Sequence, residues 1–315
     1  MIHVACTSNE KYMPHCAVML LSLLRTNSNV CVHFLCDDAL SSQSLSLLGR
    51  MVVRESGVFQ AHSIPPGWVS GLPGLKNIPP LMWYRVFLPV LMPENEKVLY
   101  LDADTLVMGD MSELWNTQLG SNFFAAVKNV LEPEYASWPR SLGLSLDSSY
   151  ANSGVLLMNL AEMRARDFHK KVADYGRNPP CRLLWPDQDA LNVVAESYVR
   201  FVHPRWNCQN SLFYLREASL VHGAAAVNDA TRNPGVLHFE GGLKPWHYLS
   251  RHPFRSHYLR YRRESPWPDV EIEGRSLVNM LLRPFPTPAA IKVLKLLDQF
   301  RRALRKNMLN KRSRG

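Results

Sequence analysis

Residues 97–107 read Lys-Val-Leu-Tyr-Leu-Asp-Ala-Asp-Thr-Leu-Val, an apolar run that ends in two carboxylates separated by one small residue. The apolar residues 98–101 predict a buried strand. Asp102 and Asp104 follow its carboxyl end, where open α/β sheets bind ligands. Two carboxylates so close repel each other unless a cation or protons lie between them. Because hard oxygen ligands favour Mg²⁺ or Mn²⁺, the pattern indicates a metal–diphosphate site, although Asp-X-Asp triplets also occur in solvated turns and helix caps.

Segments typical of strands and helices alternate around this stretch. The predicted strands are 2–7, 30–36, 58–64, 98–102, 123–127 and 154–158, and the predicted helices are 14–24, 41–53, 81–91, 160–175 and one that begins at Pro186. Pro186 places Asp187 and Gln188 in the first turn of its helix. The alternation predicts an α/β fold, with a mostly parallel sheet flanked by helices and with ligands at its carboxyl edge.

Composition narrows the class of protein. The chain has 315 residues, of which 46% are hydrophobic, but no 18-residue apolar run that could span a membrane. The first residues enter a strand-like run directly, so no signal peptide is evident. The six cysteines show no metal-type pairing and no dense framework. They are interpreted as reduced thiols of a cytosolic protein.

The positive charge of the chain is concentrated in its last segment. Residues 275–315 hold eleven Lys or Arg and one acid, whereas the first 274 residues hold 25 basic and 26 acidic residues. Basic character therefore belongs to a tail, and it is no nucleic-acid signature of the folded body. We predict a catalytic domain over 1–265, followed over 266–315 by a proline-rich linker and a basic amphipathic tail.

The tail has the pattern of a helix. Thr287 and Pro288 are a favourable cap and first residue, and an apolar stripe follows among basic residues. The stripe consists of Val293, Leu297, Phe300, Leu304 and Met308. Such a helix suits the surface of an anionic membrane, which is our preferred interpretation. A helix docked on the body and a segment that binds nucleic acid are the alternatives.

A second stretch, residues 235–246, has the chemistry of a phosphate and metal site. A strand-like Val-Leu pair precedes His238, Gly241 would let the backbone approach a phosphate, and Lys244 could neutralise diphosphate charge. A single histidine is commonly just a polar surface or core residue. Here the available carboxylates favour metal ligation by His238.

At this point the chain resembles the family 8 glycosyltransferases, a retaining group that includes bacterial lipopolysaccharide and lipooligosaccharide galactosyl- and glucosyltransferases. The likeness covers most of residues 2–250 and depends on four motifs in the right order. They are Asp102-Ala-Asp104, Asn152-Ser-Gly-Val-Leu-Leu-Met-Asn159, Asp187-Gln-Asp-Ala-Leu-Asn192 and His238-x-x-Gly241-x-x-Lys244-Pro-Trp. The basic tail also resembles the membrane-attachment segment of the lipooligosaccharide members.

The resemblance implies a nucleotide-sugar domain of the GT-A type and a set of site residues. Asp102, Asp104 and His238 would hold Mn²⁺, or Mg²⁺, against the phosphates of a UDP-sugar. The residues implied to bind the donor are Thr7, Asn9, Tyr12, Arg85, Asp102, Ala103, Asn152, Asp187, Gln188, Gly241 and Lys244. Asp187 and Gln188 would be the catalytic residues, placed at the reacting sugar, and the neutral amide of Gln188 is a poor nucleophile. Attack from the face of the departing phosphate is therefore favoured.

Two of these assignments, and the role of Trp185 just before the Asp187 motif, have competing interpretations. Family members commonly carry an aspartate where this chain has Asn9, whose carbonyl accepts a hydrogen bond without charge assistance. The alternative for Asn9 is a residue that caps a turn or helix. Arg85 could equally be a salt-bridged surface arginine. Trp185 could stack on an acceptor sugar or be a buried aromatic residue.

The preferred function is a Mn²⁺-dependent, retaining transfer of galactose or glucose from a UDP-sugar to a lipid-linked saccharide such as a lipopolysaccharide core. The enzyme would act in the cytoplasm, peripherally on the inner face of a bacterial cytoplasmic membrane, without binding nucleic acid. A non-catalytic sugar- or lipid-binding protein on a degenerate transferase fold is the alternative. A metal-dependent phosphohydrolase would need a further carboxylate–histidine cluster, which the sequence does not offer.

Overall fold

The structure is a computed structural model that describes residues 1–74, 80–145, 148–242, 244–269, 271–285, 293 and 296. Most of the predicted tail helix therefore lies outside the described residues. The chain forms two compact units, one of residues 1–240 and 261–268, the other of residues 241–260 and 269–315. Within the described residues, every helix is too short or too polar to cross a lipid bilayer.

Strands and helices alternate through the first unit. The strands are β1 (Ile2–Thr7), β2 (Val30–Cys36), β3 (Val58–Ser63), β4 (Lys97–Leu101), β5 (Thr105–Val107), β6 (Phe124–Ala126), β7 (Val155–Asn159), β8 (Val199–Phe201), β9 (Cys208–Gln209) and β10 (Val236–His238). The α-helices are α1 (Met13–Thr26), α2 (Ser42–Arg54), α3 (Pro66–Val69), α4 (Leu88–Leu91), α5 (Ser112–Trp115), α6 (Trp138–Ser141), α7 (Leu160–Ala165), α8 (Phe168–Arg177), α9 (Pro186–Ala195), α10 (Ser211–Tyr214), α11 (Glu217–His222) and α12 (Ala224–Arg232). Helices α13 (Arg255–Glu264) and α14 (Leu277–Leu282) follow, and 3₁₀ turns cover Glu10–Tyr12, Pro80–Phe87, Pro133–Tyr135 and Pro204–Asn207.

The central sheet has seven strands in the order β3-β2-β1-β4-β7-β6-β8. Strands β3, β2, β1 and β4 run parallel, as do β6 and β8, whereas β7 is antiparallel to both of its neighbours. The predicted α/β class with a mostly parallel sheet is confirmed. The strands near the centre of the sheet are almost entirely buried, since every residue of β2 and the last four residues of β4 are buried.

A second, three-stranded sheet positions the site. Strand β10 lies between β5 and β9, antiparallel to β5 and parallel to β9. In this register His238 is opposite Thr105. Because β4 ends at Leu101 and β5 begins at Thr105, the Asp102–Asp104 turn links the two sheets and lies beside the end of β10.

Local sequence signals account for several of the boundaries. The Ser41 hydroxyl caps α2 by accepting from the backbone N–H of Ser44, and Pro186 opens α9 as its first residue. The prediction of a single helix over 160–175 is wrong, because the segment forms two helices. Asp167 adopts a left-handed conformation with φ of 52°, and this breaks the segment into α7 and α8.

The predicted helix over 81–91 also differs in detail. Most of it is a 3₁₀ turn, Pro80–Phe87, and only Leu88–Leu91 is α-helical. The segment carries Trp83, Tyr84 and Arg85, all of them buried, into the core beneath the central sheet. The packing of these large side chains against Ala5 and Tyr100 decides its local geometry.

Aromatic and polar contacts join the described residues of the second unit. The rings of Trp246 and Tyr258 pack with their centroids 5.4 Å apart, and the Arg283 guanidinium lies 4.5 Å from the Tyr248 ring centre. An isolated bridge joins His247 to Glu273. Helix α14 of this unit exposes apolar side chains to solvent.

Candidate active site

The carboxylates after β4 and the histidine at the end of β10 converge. One ligand atom from each of Asp102, Asp104 and His238 lies within 4.8 Å of the other two. His238 Nε2 and Asp104 Oδ1 are 3.4 Å apart. Backbone bonds stabilise the arrangement, since the N–H of Phe239 donates to the carbonyl of Asp104 at 3.0 Å. Oxygen, oxygen and imidazole nitrogen form a ligand set that suits Mn²⁺ or a related divalent ion.

A chain of hydrogen bonds decides which nitrogen of His238 carries its proton. The N–H of Gly154 can only donate, and it donates to Asn152 Oδ1 at 2.9 Å. The same oxygen accepts from Asn207 Nδ2 at 2.8 Å, which turns Asn207 Oδ1 towards His238 Nδ1 at 3.0 Å. The Nδ1–H therefore donates to Asn207, and the lone pair of Nε2 faces the Asp104 carboxylate.

A lone pair facing a carboxylate is unfavourable unless a proton or a cation lies between them. Burial by itself lowers the pKa of His238, but the adjacent Asp104 carboxylate raises it, and the net direction is upward. Metal-bound histidines commonly use their second ring nitrogen in this way, as donors to a fixed oxygen. The tautomer of His238 thus fits a cation at Nε2.

Gly154 makes room for the histidine. A Cβ atom built at this position would overlap the imidazole ring of His238. The backbone of Gly154 also joins the site to the sheet, because its carbonyl accepts from the N–H of Asp102 at 2.8 Å. A glycine is required here for close approach and not for an unusual φ.

Arg85 connects the metal-capable cluster to the start of α9. Its Nη2 donates to Asp102 Oδ1 at 2.8 Å, and its Nε lies 3.2 Å from Asp187 Oδ2. The side chain is buried, and its guanidinium packs 4.2 Å from the centre of the Tyr100 ring. Burial disfavours the charged guanidinium, but the two carboxylates outweigh it, so the pKa of Arg85 is raised. The surface alternative for Arg85 is wrong, because this ion pair is buried.

Asp187 is a buried carboxyl group with an unsatisfied oxygen. Burial raises its pKa to about 6, although Arg85 acts in the opposite direction. Its Oδ2 makes no hydrogen bond with any described residue, because the Nε–H of Arg85, although 3.2 Å away, donates to the carbonyl of Met82. A buried acceptor without a donor costs free energy, so a hydroxyl group of a ligand would be favourable there.

Gln188 has its side chain fixed by neighbours. Its Oε1 accepts from the backbone N–H of Ser153 at 2.9 Å and from the Ser153 hydroxyl at 3.3 Å. Its Nε2 donates to the Tyr150 hydroxyl at 3.2 Å, and that hydroxyl donates to Asp189. Asp189 also accepts from the N–H groups of Leu184 and Trp185, which ties the residues before α9 to the helix.

The residues predicted to bind the nucleotide follow β1. The Thr7 hydroxyl is buried and donates to the carbonyl of Leu35 at 2.9 Å. Asn9 Oδ1 accepts from the N–H of Tyr12 at 2.9 Å, so Asn9 does cap the Glu10–Tyr12 turn. The Tyr12 ring is partly exposed and packs edge-on against His15 with 5.4 Å between centroids.

The remaining predicted residues are placed as follows. Ala103 is partly exposed between the two aspartates. Trp185 is partly buried, 5.4 Å from the Tyr135 ring and 6.3 Å from the Tyr150 ring, measured between centroids. Gly241 and Lys244 belong to the second unit, where Gly241 has a φ of 75°. Their contact with a diphosphate stays a prediction.

Sequence reasoning missed two of the buried residues that organise this site. Asn207 is fully buried and lies in a 3₁₀ turn within an irregular, aromatic-rich region that offers no motif. Asp189 lies within the motif Asp187–Asn192, and this position was the signal that could have identified it, but it was assigned no function. Both act by fixing other side chains, which spacing along the chain does not reveal.

A mixed sheet flanked by helices, with a metal-capable cluster at the carboxyl end of a central strand, is the arrangement found in α/β proteins that bind ligands at the edge of the sheet. The model of glycosyl transferase family 8 matches residues 3–250, and the chain belongs to this family. The fold agrees with this membership. Over 84% of the chain it resembles the galactosyltransferase LgtC, solved in complex with donor and acceptor sugar analogues, with a TM-score of 0.74 and 22% identity across 96% of that chain.

Bacterial relatives cover most of the chain. General stress protein A of Bacillus subtilis is 24% identical over 285 residues, which are 88% of this chain and 98% of the relative. Lipopolysaccharide 1,3-galactosyltransferase of Salmonella typhimurium is 27% identical over 273 residues, 84% of this chain and 79% of that protein. Lipopolysaccharide glucosyltransferase WaaO of Escherichia coli is 25% identical over 290 residues, which are 89% of this chain and 83% of that protein.

Proposed function

We propose that this protein is a retaining hexosyltransferase that moves galactose or glucose from a UDP-sugar to a lipid-linked saccharide. The observation that carries the proposal is the convergence of Asp102, Asp104 and His238 beside the buried Arg85–Asp187 pair. A divalent ion and a sugar would then occupy adjoining positions at one edge of the sheet, within a family of glycosyl transferases.

Asp102, Asp104 and His238 are proposed to hold Mn²⁺. The lone pair of His238 Nε2 faces the carboxylate of Asp104, an arrangement that a cation between them would stabilise. An imidazole ligand favours Mn²⁺ over Mg²⁺. When bound, such an ion neutralises the diphosphate and stabilises the charge that develops as UDP departs. Lys244 and the backbone of Gly241 are proposed to contact the same phosphates.

The hexose is proposed to lie against Arg85, Asn152, Asp187 and Gln188. The unsatisfied Oδ2 of Asp187 supports a hydrogen bond from a sugar hydroxyl. Ionised Asp187 and the cationic Arg85 would orient the sugar without reacting with it. Thr7, Asn9 and Tyr12 are proposed to form the uridine pocket, where the carbonyl of Asn9 is already used by the N–H of Tyr12.

The position of Gln188 bears on how the configuration is retained. A neutral amide is a weak nucleophile, and its oxygen already accepts two hydrogen bonds from Ser153. We therefore favour attack by the acceptor hydroxyl from the same face as the departing phosphate, whose oxygen takes the hydroxyl proton. In this scheme Gln188 holds the sugar in place and forms no bond to it.

The acceptor is proposed to be a lipid-linked saccharide such as a lipopolysaccharide core. Relatives named as lipopolysaccharide galactosyl- and glucosyltransferases support this choice. So does the basic tail, which would attach the enzyme to the inner face of a bacterial cytoplasmic membrane.

The test uses the purified full chain with Mn²⁺ and a panel of nucleotide sugars, and it measures UDP release with and without acceptor. We expect turnover of UDP-galactose or UDP-glucose, and a loss of roughly 10²–10³-fold in Asp104→Asn, because one charged metal ligand is removed. The matched control is Asp110→Asn, an exposed aspartate that only caps Ser112, and its rate should be unchanged.

Absence of turnover with every nucleotide sugar, or an active Asp104→Asn variant, would contradict the proposal. Sugar binding without turnover would favour the non-catalytic alternative. In a second arm, the full chain should sediment with vesicles of anionic phospholipid and not with zwitterionic vesicles. Equal sedimentation with both would contradict the role proposed for the tail.

A further inference from the structure

A row of three histidines crosses β1, β2 and β3 and shares no residue with the candidate active site. The facing nitrogens His3 Nδ1 and His33 Nε2 are 2.9 Å apart, and His33 Nδ1 and His62 Nε2 are 3.0 Å apart. Cys31 joins the row, since one ligand atom each from His3, Cys31 and His33 lies within 4.8 Å of the other two. None of these residues has a part in the proposed transfer.

The strand register explains why these side chains meet. His3 is directly opposite Cys31 in the parallel β1–β2 pair, and Cys31 and His33 share one face of β2 because they are two residues apart. On β1, His3 is four residues before Thr7, or about 13 Å along the strand from the carboxyl end. The row runs diagonally across the strands, because His33 is opposite Ala5 at the middle of β1, and His62 is level with Thr7 at its carboxyl end. His3 and Cys31 lie near the amino ends of their strands, so the three ligand atoms are set back from the carboxyl edge that carries the Asp102–Asp104 turn.

The spacing of the donor atoms is close to that of a transition-metal site. Two nitrogens bound to one tetrahedral Zn²⁺ at 2.0–2.1 Å are roughly 3.3 Å apart, so the 2.9 Å pair needs to open by only a few tenths of an ångström. Asn95 Nδ2 lies 3.3 Å from His3 Nδ1 and would be displaced. His62 is then well placed to accept the Nδ1–H of His33, as an outer hydrogen bond that orients the ligand.

The electrostatic environment favours neutral imidazoles, which are the form that binds metals. Burial lowers the pKa of His33 to about 4, with a further contribution from His62 and His3. Burial also raises the pKa of the Cys31 thiol, so a metal ion would have to displace its proton. His3 and His62 are partly exposed, which leaves a route from solvent.

We propose that His3, Cys31 and His33 form a second metal site, one that takes a borderline or soft divalent transition-metal ion such as Zn²⁺. A nitrogen, nitrogen and sulfur ligand set selects against Mg²⁺ and Mn²⁺, whereas the Asp102–Asp104–His238 set is harder. The site fastens β1 to β2 by three side chains and leaves a position for water. It is independent of the sugar-transfer proposal.

The experiment titrates the full chain with Co²⁺, which replaces Zn²⁺ and reports its ligands by absorption. Thiolate-to-cobalt charge transfer requires a cysteine ligand, and the Asp102–Asp104–His238 cluster has none, so this band reports the second site alone. We expect the band to saturate at one Co²⁺ per chain and to disappear when Zn²⁺ is added.

Cys31→Ser should abolish the band, and His33→Gln should weaken Co²⁺ binding by roughly 10-fold or more. The matched control is Cys36→Ser, since Cys36 is a buried cysteine of the same strand that faces the other side of the sheet. Circular dichroism shows whether each variant has folded. If Cys31→Ser does not fold, the test of the proposal is the Co²⁺ band of His33→Gln. No band in the native protein, or a band unchanged by His33→Gln, would overturn the proposal.

Discussion

Two clusters on the central sheet bury polar groups in opposite ways. At the carboxyl end of β4 the cluster includes buried charges, and Arg85 lies between the carboxylates of Asp102 and Asp187. The histidine row, which runs diagonally across β1–β3, is polar but favours the neutral form, as the lowered pKa of His33 indicates. One cluster is therefore stabilised by ion pairs, and the other by hydrogen bonds between uncharged rings.

One sheet can therefore support two kinds of buried polar chemistry. A buried charge is tolerated only beside an opposite charge, so the Arg85 cluster already has the paired charges that a charged ligand would need. Neutral imidazoles need no counter-charge and keep lone pairs available. The ion pair should therefore be the more costly of the two arrangements to disturb.

The largest effect is expected at Arg85. Arg85→Ala would leave two carboxylates without their cation, so we expect the free energy of unfolding to fall by roughly 3–5 kcal/mol. Sugar transfer should fall by at least about 10²-fold, because Asp187 and Asp102 are no longer held in place. Urea denaturation and UDP release measure the two effects.

The matched control for that variant is Arg54→Ala. The Arg54 side chain is 62% exposed and lies 3.7 Å from Glu55, so its loss should cost less than about 1 kcal/mol. Arg85→Lys should fall between the two, since a lysine keeps the charge but cannot reach both carboxylates with a planar fork. Equal stability of Arg85→Ala and Arg54→Ala would show that the buried pair is not the stabilising element.

A smaller effect is expected at Asn207, which orients the metal-capable histidine. In Asn207→Leu the Nδ1–H of His238 loses its acceptor, so the tautomer with Nε2 free is no longer favoured. We expect the Mn²⁺ concentration for half-maximal activity to rise roughly 10–100-fold.

Asn207→Asp distinguishes this positioning role from simple packing. Its carboxylate still accepts from His238 Nδ1, although it cannot donate to Asn152. The Mn²⁺ concentration for half-maximal activity should then rise less than it does in Asn207→Leu. An equal rise in both variants would mean that Asn207 acts by filling space.

The smallest effect is expected at His252, where burial lowers the pKa of a histidine that is not part of the histidine row. His252, in the second unit, is buried, and its Nδ1 accepts from the N–H of Phe254 at 3.2 Å. Burial lowers its pKa to about 4. Because the pKa in the folded state is below the ordinary value, the stability it contributes is complete above about pH 6.5 and is lost as pH falls towards 4.

Between pH 7 and pH 5, native protein should lose roughly 1–2 kcal/mol more unfolding free energy than His252→Asn, whose amide can accept the same hydrogen bond without titrating. Urea denaturation at the two pH values measures the difference. Identical losses would indicate that burial alone does not keep this imidazole neutral.

Much of the fold was accessible from short-range patterns. The run before Asp102 is an interior strand, Ser41 caps a helix, and Pro186 opens one, as the residue types predict. The helix break at Asp167 was not accessible, because an aspartate in a left-handed conformation is selected by the packing on either side and not by its own preference.

The site was accessible only in part. Carboxylates after an apolar run and a histidine after a Val-Leu pair are visible as patterns, and tertiary structure brings them within metal-binding distance. The contact of Asn207 with His238 joins residues 31 positions apart, and the bond between His3 and His33 depends on parallel register. Contacts of this kind follow from strand pairing, which a single sequence specifies only indirectly.

What the amino-acid sequence determined by itself is the alternation of strands and helices, the identity of the acidic pair and the concentration of basic residues in the tail. These depend on local periodicity and composition. The tertiary structure alone decided that Arg85 would bridge two carboxylates, that His238 would turn Nε2 towards Asp104, and that three histidines would line up across the sheet. The physical reason is burial, because the charge and tautomer of a side chain depend on which groups replace water around it.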